Sequence, residues 1–480
     1  MSMRRLQTEL LAHAGRLLLE YNDSTREIHR ALTATSRALS DEACRVSVSY
    51  SDVTVSLPGE APVLMPVREL RFNTAVQGQV HTILDQVGRG ELEPAEALAQ
   101  LERVEADTPR HPRWVGMLLL GVAAAGLAGL LGADACCVVI SAVSTGLGLV
   151  ARQELARRHF SLLLMPFTGA LIGAIFGGLV IRLGWTDTPG LALIVPALMV
   201  VPGPHLINGI LDLIDNHLPM SMARLGLAAG ILLASALGIV LGVEITLPDP
   251  LPSNTVTNGD HLNLVSDMLL AGISDMLLAG IVTCGFAVAF NTPWRHVGLA
   301  ALGGMAGHGL RFLALNADWR PEVATFLGGL TVGVVSGWMT RSGKTPVAVI
   351  AFAGAVTMMP GLDIYQSLGG AMQLARTTDE TAPAVVARTL GNASQAGLQV
   401  SGLAIGVILG VRAVLALRRE PGPMQPASAD SGSAALPQEQ DRDRLPSESA
   451  NGVTDAQPGE RITTANRQAG GVDDHDHRPG

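Results

Sequence analysis

The feature that most constrains the fold is a run of 303 residues, from Val115 to Leu417, that carries only 28 charged side chains. That is about 9% of the run, whereas the other 177 residues of this 480-residue chain carry 47 charges, about 27%. A soluble protein does not leave so long a stretch poor in charge, because its surface must be hydrated. The composition therefore excludes an ordinary soluble enzyme and predicts a mainly α-helical, multi-pass membrane protein with polar ends.

The charge-poor run divides into about ten predicted transmembrane helices, five in a first module over residues 113–250 and five in a second over 262–417. Several are short or interrupted by Gly and Pro, which membrane helices tolerate where they line a cavity enclosed by protein. Most basic residues between the helices fall on the side that carries the N-terminus, so both termini are expected in the cytoplasm. The ten helices are expected at about 115–131, 133–151, 160–183, 189–202, 220–245, 265–290, 297–315, 321–340, 346–360 and 391–417.

The two ends of the chain are polar in different ways. Residues 1–112 are expected to form a small cytoplasmic α/β domain with two helices that are separated at Tyr21-Asn22-Asp23. Ser24 and Glu27 form a capping box for the second helix. Alternating apolar residues over 44–57 predict a β-hairpin, and a further helix pair is expected at about 73–88 and 93–106. Residues 420–480 are rich in Pro, Ser, Gly, Asp and Gln and are expected to be disordered, because they cannot bury a core.

Composition and motifs argue against several other functions. The net charge of −9 has no basic patch with interleaved aromatic residues, so no nucleic-acid partner is expected. The four cysteines lack metal-ligand spacing, and Cys136 and Cys137 are adjacent, so neither a metal site nor a disulfide framework is expected. No glycine-rich phosphate loop or nucleophile elbow is present, and we therefore expect no cofactor and no enzymatic activity.

A Pro-Gly dipeptide recurs in the two modules. Pro202-Gly203 and Pro360-Gly361 lie 158 residues apart, and the same offset aligns several of the predicted helices. Because each module has five predicted helices, an odd number, the second would cross the membrane upside down relative to the first. This arrangement predicts a 5+5 inverted repeat, an architecture of secondary transporters in which the substrate site lies where the halves meet.

Polar residues follow each Pro-Gly at helical spacing. His205, Asn208, Asp212 and Asp215 share one helix face in the first module, and Asp363 and Gln366 begin the corresponding stripe in the second. These side chains, together with the backbone groups exposed at the breaks, are candidates for a substrate or ion pathway. The alternative is an amphipathic helix whose polar face is wet at the membrane interface. Both interpretations stand for Asp212 and Asp363, and the interfacial one is preferred for His205 and Asp215.

Further charged residues lie inside predicted helices, where charges are costly and often functional. Arg311 in the seventh helix either pairs with Asp275 in the sixth or extends to the outer surface, and we favour the surface. The sixth helix also contains an exact tandem repeat, SDMLLAGI at 266–273 and again at 274–281. The repeat leaves open which of its aspartates, Asp267 or Asp275, faces the interior.

Four segments together resemble the bacterial threonine/serine exporter family: LLLEYNDSTREIHRAL at 17–32, ILDQVGRGELEPAEALAQLERV at 83–104, VPGPHLINGILDLIDN at 201–216 and MMPGLDIYQSL at 358–368. The resemblance covers about residues 6–417 and implies a cytoplasmic N-terminal domain fused to two five-helix modules in the bacterial inner membrane. It also implies export of threonine and serine driven by protons. Two departures from the family pattern are Asn22-Asp23, where a Gly-type turn is usual, and the octapeptide repeat.

Three functions remain to be compared. The first is a proton-coupled exporter of threonine or serine, in which Asp363 would hold the ammonium group and a helix N-terminus the carboxylate. The second is a dicarboxylate exporter of the succinate type, with Arg311 and His205 as the cationic groups. The third is a membrane-anchored sensor or hydrolase that uses the N-terminal domain. The expected partners of the protein are accordingly a small solute, protons and the lipid bilayer, and the sequence also allows a homo-oligomer.

Overall fold

In the computed structural model, which describes residues 2–247, 265–339, 347–374 and 382–417, the chain is mainly helical. The tail at 420–480, for which we expect disorder, lies outside the described residues. The first 107 residues form four helices and a small sheet, here called the N-terminal region. Its elements are α1 (Met3–Glu20), α2 (Thr25–Ser40), β1 (Arg45–Val48), β2 (Asp52–Ser56), β3 (Val63–Pro66), α3 (Thr74–Gly88) and α4 (Pro94–Asp107).

The local sequence explains the N-terminal region. Ser24 caps α2 by accepting a hydrogen bond from the Glu27 amide, as expected. The predicted hairpin is confirmed, since β1 and β2 pair antiparallel with Val46 opposite Val55. A third strand, β3, pairs antiparallel with β2 and was not expected, because its short Val-Leu-Met-Pro run shows no clear alternation. The apolar core beneath the sheet also takes in Met220 from a helix of the membrane portion.

Twelve helices follow, and eight of those described are long and apolar enough to cross a membrane. A bent pair of helices, Pro189–Leu198 and Gly203–Ile214, is a ninth candidate if it is counted as one crossing, and the expected total of ten stays a prediction. The helices are α5 (Arg113–Leu130), α6 (Ala135–Arg157), α7 (Leu164–Arg182), α8 (Pro189–Leu198), α9 (Gly203–Ile214), α10 (Leu218–Thr246), α11 (Val265–Ala289), α12 (Trp294–Asn316), α13 (Pro321–Met339), α14 (Val347–Val356), α15 (Gly361–Leu374) and α16 (Ala382–Ala416).

The outer faces of these helices are apolar. On α6, for example, Val139, Val143 and Leu147 lie one turn apart on one face and are 62%, 46% and 44% exposed. Water would penalise such a stripe, whereas lipid chains do not. The protein is therefore a multi-pass helical membrane protein.

The inner faces carry small residues that let helices pack closely. A methyl group at Gly406 of α16 would overlap the carbonyl oxygen of Phe326 on α13, and one at Gly242 of α10 would overlap Ala174 on α7. Small residues at helix contacts are the usual means by which membrane helices approach each other. The pairs α7–α10 and α13–α16 thus form close contacts at corresponding places in the two halves.

The two Pro-Gly breaks have the same local structure and touch each other. The Gly203 amide donates to Val201 O at 2.8 Å, and the Gly361 amide donates to Met359 O at 2.8 Å, again 158 residues apart. Gly203 packs against Met359, and Gly361 packs against Leu198. Because α8 and α9 are only about 15 and 18 Å long, each is about half the length needed to cross a bilayer. The break between them bends the chain by 63°.

Candidate functional site

Polar side chains inside the bundle gather in two clusters, one along each helix that follows a break. The N-terminal region packs against the membrane helices near α9. We call the side of the helix bundle that it covers proximal and the opposite side distal. The proximal cluster comprises Asn22, Asp23, His205, Asn208, Asp212 and Arg224. The distal cluster comprises Asp275, His308, Arg311, Thr325, Asp363 and Gln399.

A buried ion pair forms the centre of the proximal cluster. Arg224 of α10 and Asp212 of α9 are 0% and 1% exposed, and Arg224 Nε lies 3.3 Å from Asp212 Oδ2. Arg224 Nη2 also donates to the backbone oxygen of Asp23 at 2.5 Å, and the Thr25 amide donates to Asp212 Oδ1 at 3.0 Å. The pair therefore joins the membrane helices to the turn between α1 and α2.

That turn is shaped by its own residues. Asn22 has φ +62°, in the left-handed region that Gly and Asn adopt most readily, so Asn can form this turn as Gly would. Asn208 Nδ2 donates to Asn22 O at 2.6 Å, and His81 Nε2 donates to Asp23 Oδ2 at 2.6 Å. Burial alone would lower the pKa of His81, but the hydrogen bond and the charge of Asp23 outweigh it, so the pKa is raised.

Several buried polar atoms in the proximal cluster have no hydrogen-bond partner in the structure. They are the side-chain amide atoms of Asn22, Nδ1 of His205, Oδ1 of Asn208 and Nη1 of Arg224. Asn22 also lines a small cavity next to Pro204, with a volume of about 10 Å³, close to what one water molecule needs. The unpartnered donors and acceptors give this cluster spare capacity to bind a polar solute or water.

The distal cluster is a connected chain of polar groups. Arg311 Nε donates to Thr325 Oγ1 at 3.1 Å, and the Thr325 hydroxyl donates to Gln399 Oε1 at 3.3 Å. Gln399 Nε2 in turn donates to Asp363 Oδ2 at 2.8 Å. Asp275 of α11 accepts a 2.6 Å hydrogen bond from His308 Nδ1. Both Asp275 and Asp363 are close enough to interact electrostatically with Arg311.

Comparison with known proteins identifies the family. One family model, described as "Putative threonine/serine exporter", matches residues 9–246, and a second, described as "Threonine/Serine exporter, ThrE", matches residues 275–412. The chain belongs to the threonine/serine exporter family. It is thus a membrane exporter, and membership of a transport family gives no support to the sensor or hydrolase alternative.

Two curated relatives of this exporter share the name "Probable succinate transporter subunit YjjP". The one from Escherichia coli (strain K12) is 24% identical over 254 residues, and the one from Klebsiella aerogenes is 22% identical over 248 residues. The alignments cover 50% and 51% of the exporter and 95% of each relative. No solved structure matches the chain significantly.

The exporter's candidate pathway residues fall into both clusters. Asp212, Asn208 and His205 meet in the proximal cluster, just beyond Pro202-Gly203. Asp275, Arg311 and Asp363 meet in the distal cluster, and Gln366, one turn after Asp363, accepts a hydrogen bond from Asn392 at 3.3 Å. Pro360-Gly361 directly precedes the helix that carries Asp363 and Gln366. That these residues form a pathway stays a prediction.

Two expectations about individual side chains are wrong. His205 is only 2% exposed, so its helix face is covered by the N-terminal region rather than wet. For Asp215 the interfacial interpretation stays a prediction, since its partners, Arg26 at 2.5 Å and Arg412 at 3.4 Å, are exposed side chains. Arg311 does not extend to the surface but bonds to Thr325, and the partner of Asp275 is His308. Membrane interiors favour such internal partners, because lipid offers none.

Arg224 is the residue that sequence reasoning missed most clearly. It is the seventh residue of the long apolar helix α10 and is not among the candidate pathway residues predicted from the sequence. The sequence signal for Arg224 is that a charged residue lies in the first third of the apolar helix α10, shortly after the polar stripe that contains Asp212. Gln399 and Thr325 gave no signal, because uncharged polar residues are common inside membrane helices.

Proposed function

We propose that this exporter carries a small zwitterionic amino acid, threonine or serine, out of the cell in exchange for protons. The observation that carries the proposal is that Arg311 lies within electrostatic reach of Asp275 and Asp363 and is linked to Asp363 through the hydrogen bonds of Thr325 and Gln399. Arg311 can bind the substrate carboxylate, and Asp363 can bind its ammonium group. The family and the resemblance stated above support the same class of substrate.

The charges of the distal cluster favour a zwitterion over a dicarboxylate. With neutral His308 the cluster carries two carboxylates and one guanidinium, a formal charge of −1. Two like charges about 5 Å apart repel by roughly 3 kcal/mol at an effective dielectric constant of about 20. A dianion would meet this repulsion at Asp275 and Asp363, whereas a zwitterion presents a charge that complements each group.

The two breaks supply a means of alternating access. They contact each other, and each is followed by the short helix that carries residues of one cluster. We propose that the two halves form the inverted repeat expected from the sequence, with the substrate passing between the clusters at the paired breaks. The proximal cluster is covered by the N-terminal region, so this region must move aside before a substrate enters from the cytoplasm.

Proton coupling requires a group whose proton affinity changes between the two access states. A carboxylate that exchanges a guanidinium or amide partner for the substrate meets that requirement. We assign this role to Asp363, whose bond to Gln399 the substrate ammonium would replace, with the Asp275–His308 pair as an adjacent proton acceptor. We also propose that both termini face the cytoplasm of a bacterium, as the basic residues between the helices predict.

The test uses purified protein in vesicles with an imposed pH gradient. Labelled threonine and serine are expected to move opposite to the proton flow that the gradient drives, and Asp363→Asn is expected to abolish this flux. The matched control is Asp187→Asn, the same change at an exposed position of the α7–α8 loop, which should retain the flux. Normal flux in Asp363→Asn at equal protein content would remove Asp363 from the mechanism.

Succinate is the second candidate substrate, favoured by the printed name of the two relatives. A dicarboxylate would need a cationic site, but His205 and Arg311 lie in different clusters and cannot bind one small ligand together. Labelled succinate in the same vesicles decides between the two. Flux of succinate without flux of threonine would overturn the amino-acid proposal while leaving the protein an exporter.

A further inference from the structure

A second cavity, whose lining includes no residue of either cluster, lies between the N-terminal region and the membrane helices. Its volume is about 410 Å³, and three segments line it: α3 from Thr74 to Thr82, the connection 109–112, and the turn 291–296. We call it the lateral cleft. Its size exceeds that of the small cavity at Pro204 many times, and it is large enough for a phosphate-bearing headgroup.

The lateral cleft is cationic. Arg110 and Arg295 line it, together with His111 and His296, and its lining contains no aspartate or glutamate. Neither arginine pairs with a carboxylate in the described part of the chain; Arg295 Nε instead donates to the neutral imidazole nitrogen Nε2 of His296 at 2.9 Å. Both guanidinium groups therefore keep an uncompensated positive charge and free donor positions for an anion.

The wall of the lateral cleft is fixed by hydrogen bonds. His111 Nε2 donates to Thr292 O at 2.8 Å, and the His111 amide donates to Asn291 Oδ1 at 3.0 Å. The His111 ring packs on Trp294 with ring centroids 4.5 Å apart. These contacts hold the two arginine-bearing segments next to each other, so the positive charges are positioned by the fold rather than by flexible loops.

Two helices begin at the lateral cleft. The helix α5 starts at Arg113 after Pro112, and α12 starts at Trp294 after Pro293, in both cases without a side-chain cap. Their N-terminal ends add partial positive charge to the site. Trp114 and Trp294 are 65% and 56% exposed here, as tryptophans often are at the level of lipid headgroups.

We infer that the lateral cleft binds the phosphate group of an anionic phospholipid. Arginine forks and helix N-termini suit phosphate oxygens, and basic pockets beside membrane helices on the cytoplasmic side bind anionic headgroups. A lipid held there would contact the N-terminal region and the start of two membrane helices at once, and so would favour their docking. This inference does not depend on the identity of the exported solute.

The experiment compares the full chain in nanodiscs of phosphatidylcholine with and without added phosphatidylglycerol, by native mass spectrometry and thermal unfolding. The anionic lipid should bind and raise the Tm, and Arg110→Ala/Arg295→Ala should weaken this binding at least about tenfold through loss of two charged contacts. The matched control is Arg157→Ala/Arg158→Ala, which removes two exposed arginines at the end of α6. It should change the affinity less than about twofold.

A further arm separates the two sources of phosphate. Inorganic phosphate is added to the phosphatidylcholine nanodiscs; stabilisation equal to that of the lipid, lost in the Arg110/Arg295 variant, would assign the lateral cleft to a soluble phosphate compound. Equal lipid binding by the wild type and the Arg110/Arg295 variant would overturn the site. Equal losses in that variant and in the control pair would also overturn it. Unchanged Tm values of both variants in phosphatidylcholine verify that they fold.

Discussion

Replacing Arg224 with Gln should loosen the N-terminal region from the membrane helices. Arg224 is fully buried and compensates Asp212, while its Nη2 group holds the backbone of Asp23. Removing one partner of a buried ion pair typically costs about 3–5 kcal/mol, because the other charge is left without compensation. Asp212 would keep only the bond from the Thr25 amide. Most of this cost should fall on the docking of the α1–α2 turn, since Asp23 and Thr25 belong to it.

Hydrogen exchange at the Thr25 amide measures this docking directly. A loss of about 3–5 kcal/mol corresponds to faster exchange by roughly two to four orders of magnitude, up to the limit of the undocked state. Two variants serve as controls. The double variant Asp212→Asn/Arg224→Gln removes the uncompensated charge and should lose less than the sum of its single changes. Arg26→Gln removes an exposed ion pair to Asp215 and should cost no more than about 1 kcal/mol.

The reasoning would be refuted if Arg224→Gln left exchange at Thr25 unchanged, or if the double variant lost as much as both single variants combined. The first result would mean that the ion pair does not hold the turn. The second would mean that the loss comes from repacking of α9 and α10 and not from the charge of Asp212.

Three further predictions concern separate parts of the molecule. Gly406→Ala should reduce the Tm and the amount of folded protein, because its methyl group would overlap Phe326 O, whereas Gly397→Ala on the same helix meets no atom within 4 Å and should be tolerated. Because the pKa of His81 is raised, its bond to Asp23 stabilises the fold fully below the ordinary pKa of 6.5, and this stabilisation is lost as the pH rises through the raised pKa. Thermal unfolding measured against pH should show the loss in the wild type and not in His81→Asn. Burial opposes ionisation of Asp134, but hydrogen bonds from Thr186 and other donors of the α7–α8 loop outweigh it and lower its pKa. These bonds therefore stabilise the fold fully above the ordinary pKa of 3.8, and the stabilisation is lost as the pH falls through the lowered pKa. Asp134→Asn should accordingly lower the Tm at pH 7.

The sequence predicts the membrane fold well, because the evidence for it is local. Twenty-residue apolar runs, the Ser24 cap and the alternating hairpin each depend on neighbouring residues, and the structure confirms them. The Pro-Gly repeat also predicts the positions of the helix breaks correctly, since an interruption of a membrane helix depends on the residues immediately around it.

The partners of polar side chains were harder to predict. The pairing of Arg224 with Asp212 and Asp23 brings together residues up to 201 positions apart, and nothing near Arg224 indicates where the α1–α2 turn will dock. The same holds for Asp275, whose hydrogen-bond partner in the folded chain is His308 and not Arg311. Hydropathy identifies which residues leave water, but the relative rotation of packed helices decides which of them meet.

The position of the octapeptide repeat within α11 has an evolutionary consequence. The end of α11 is fixed to the N-terminal region, because Phe290 O accepts a bond from the Thr74 amide and Asn291 donates to Asn73. Counted back from that fixed end, Asp275 in the second copy keeps its place beside His308 whatever precedes it. A replication slip that gains or loses the first copy would therefore change only the start of the helix, and descendants could vary in length there while inheriting the same interior charges.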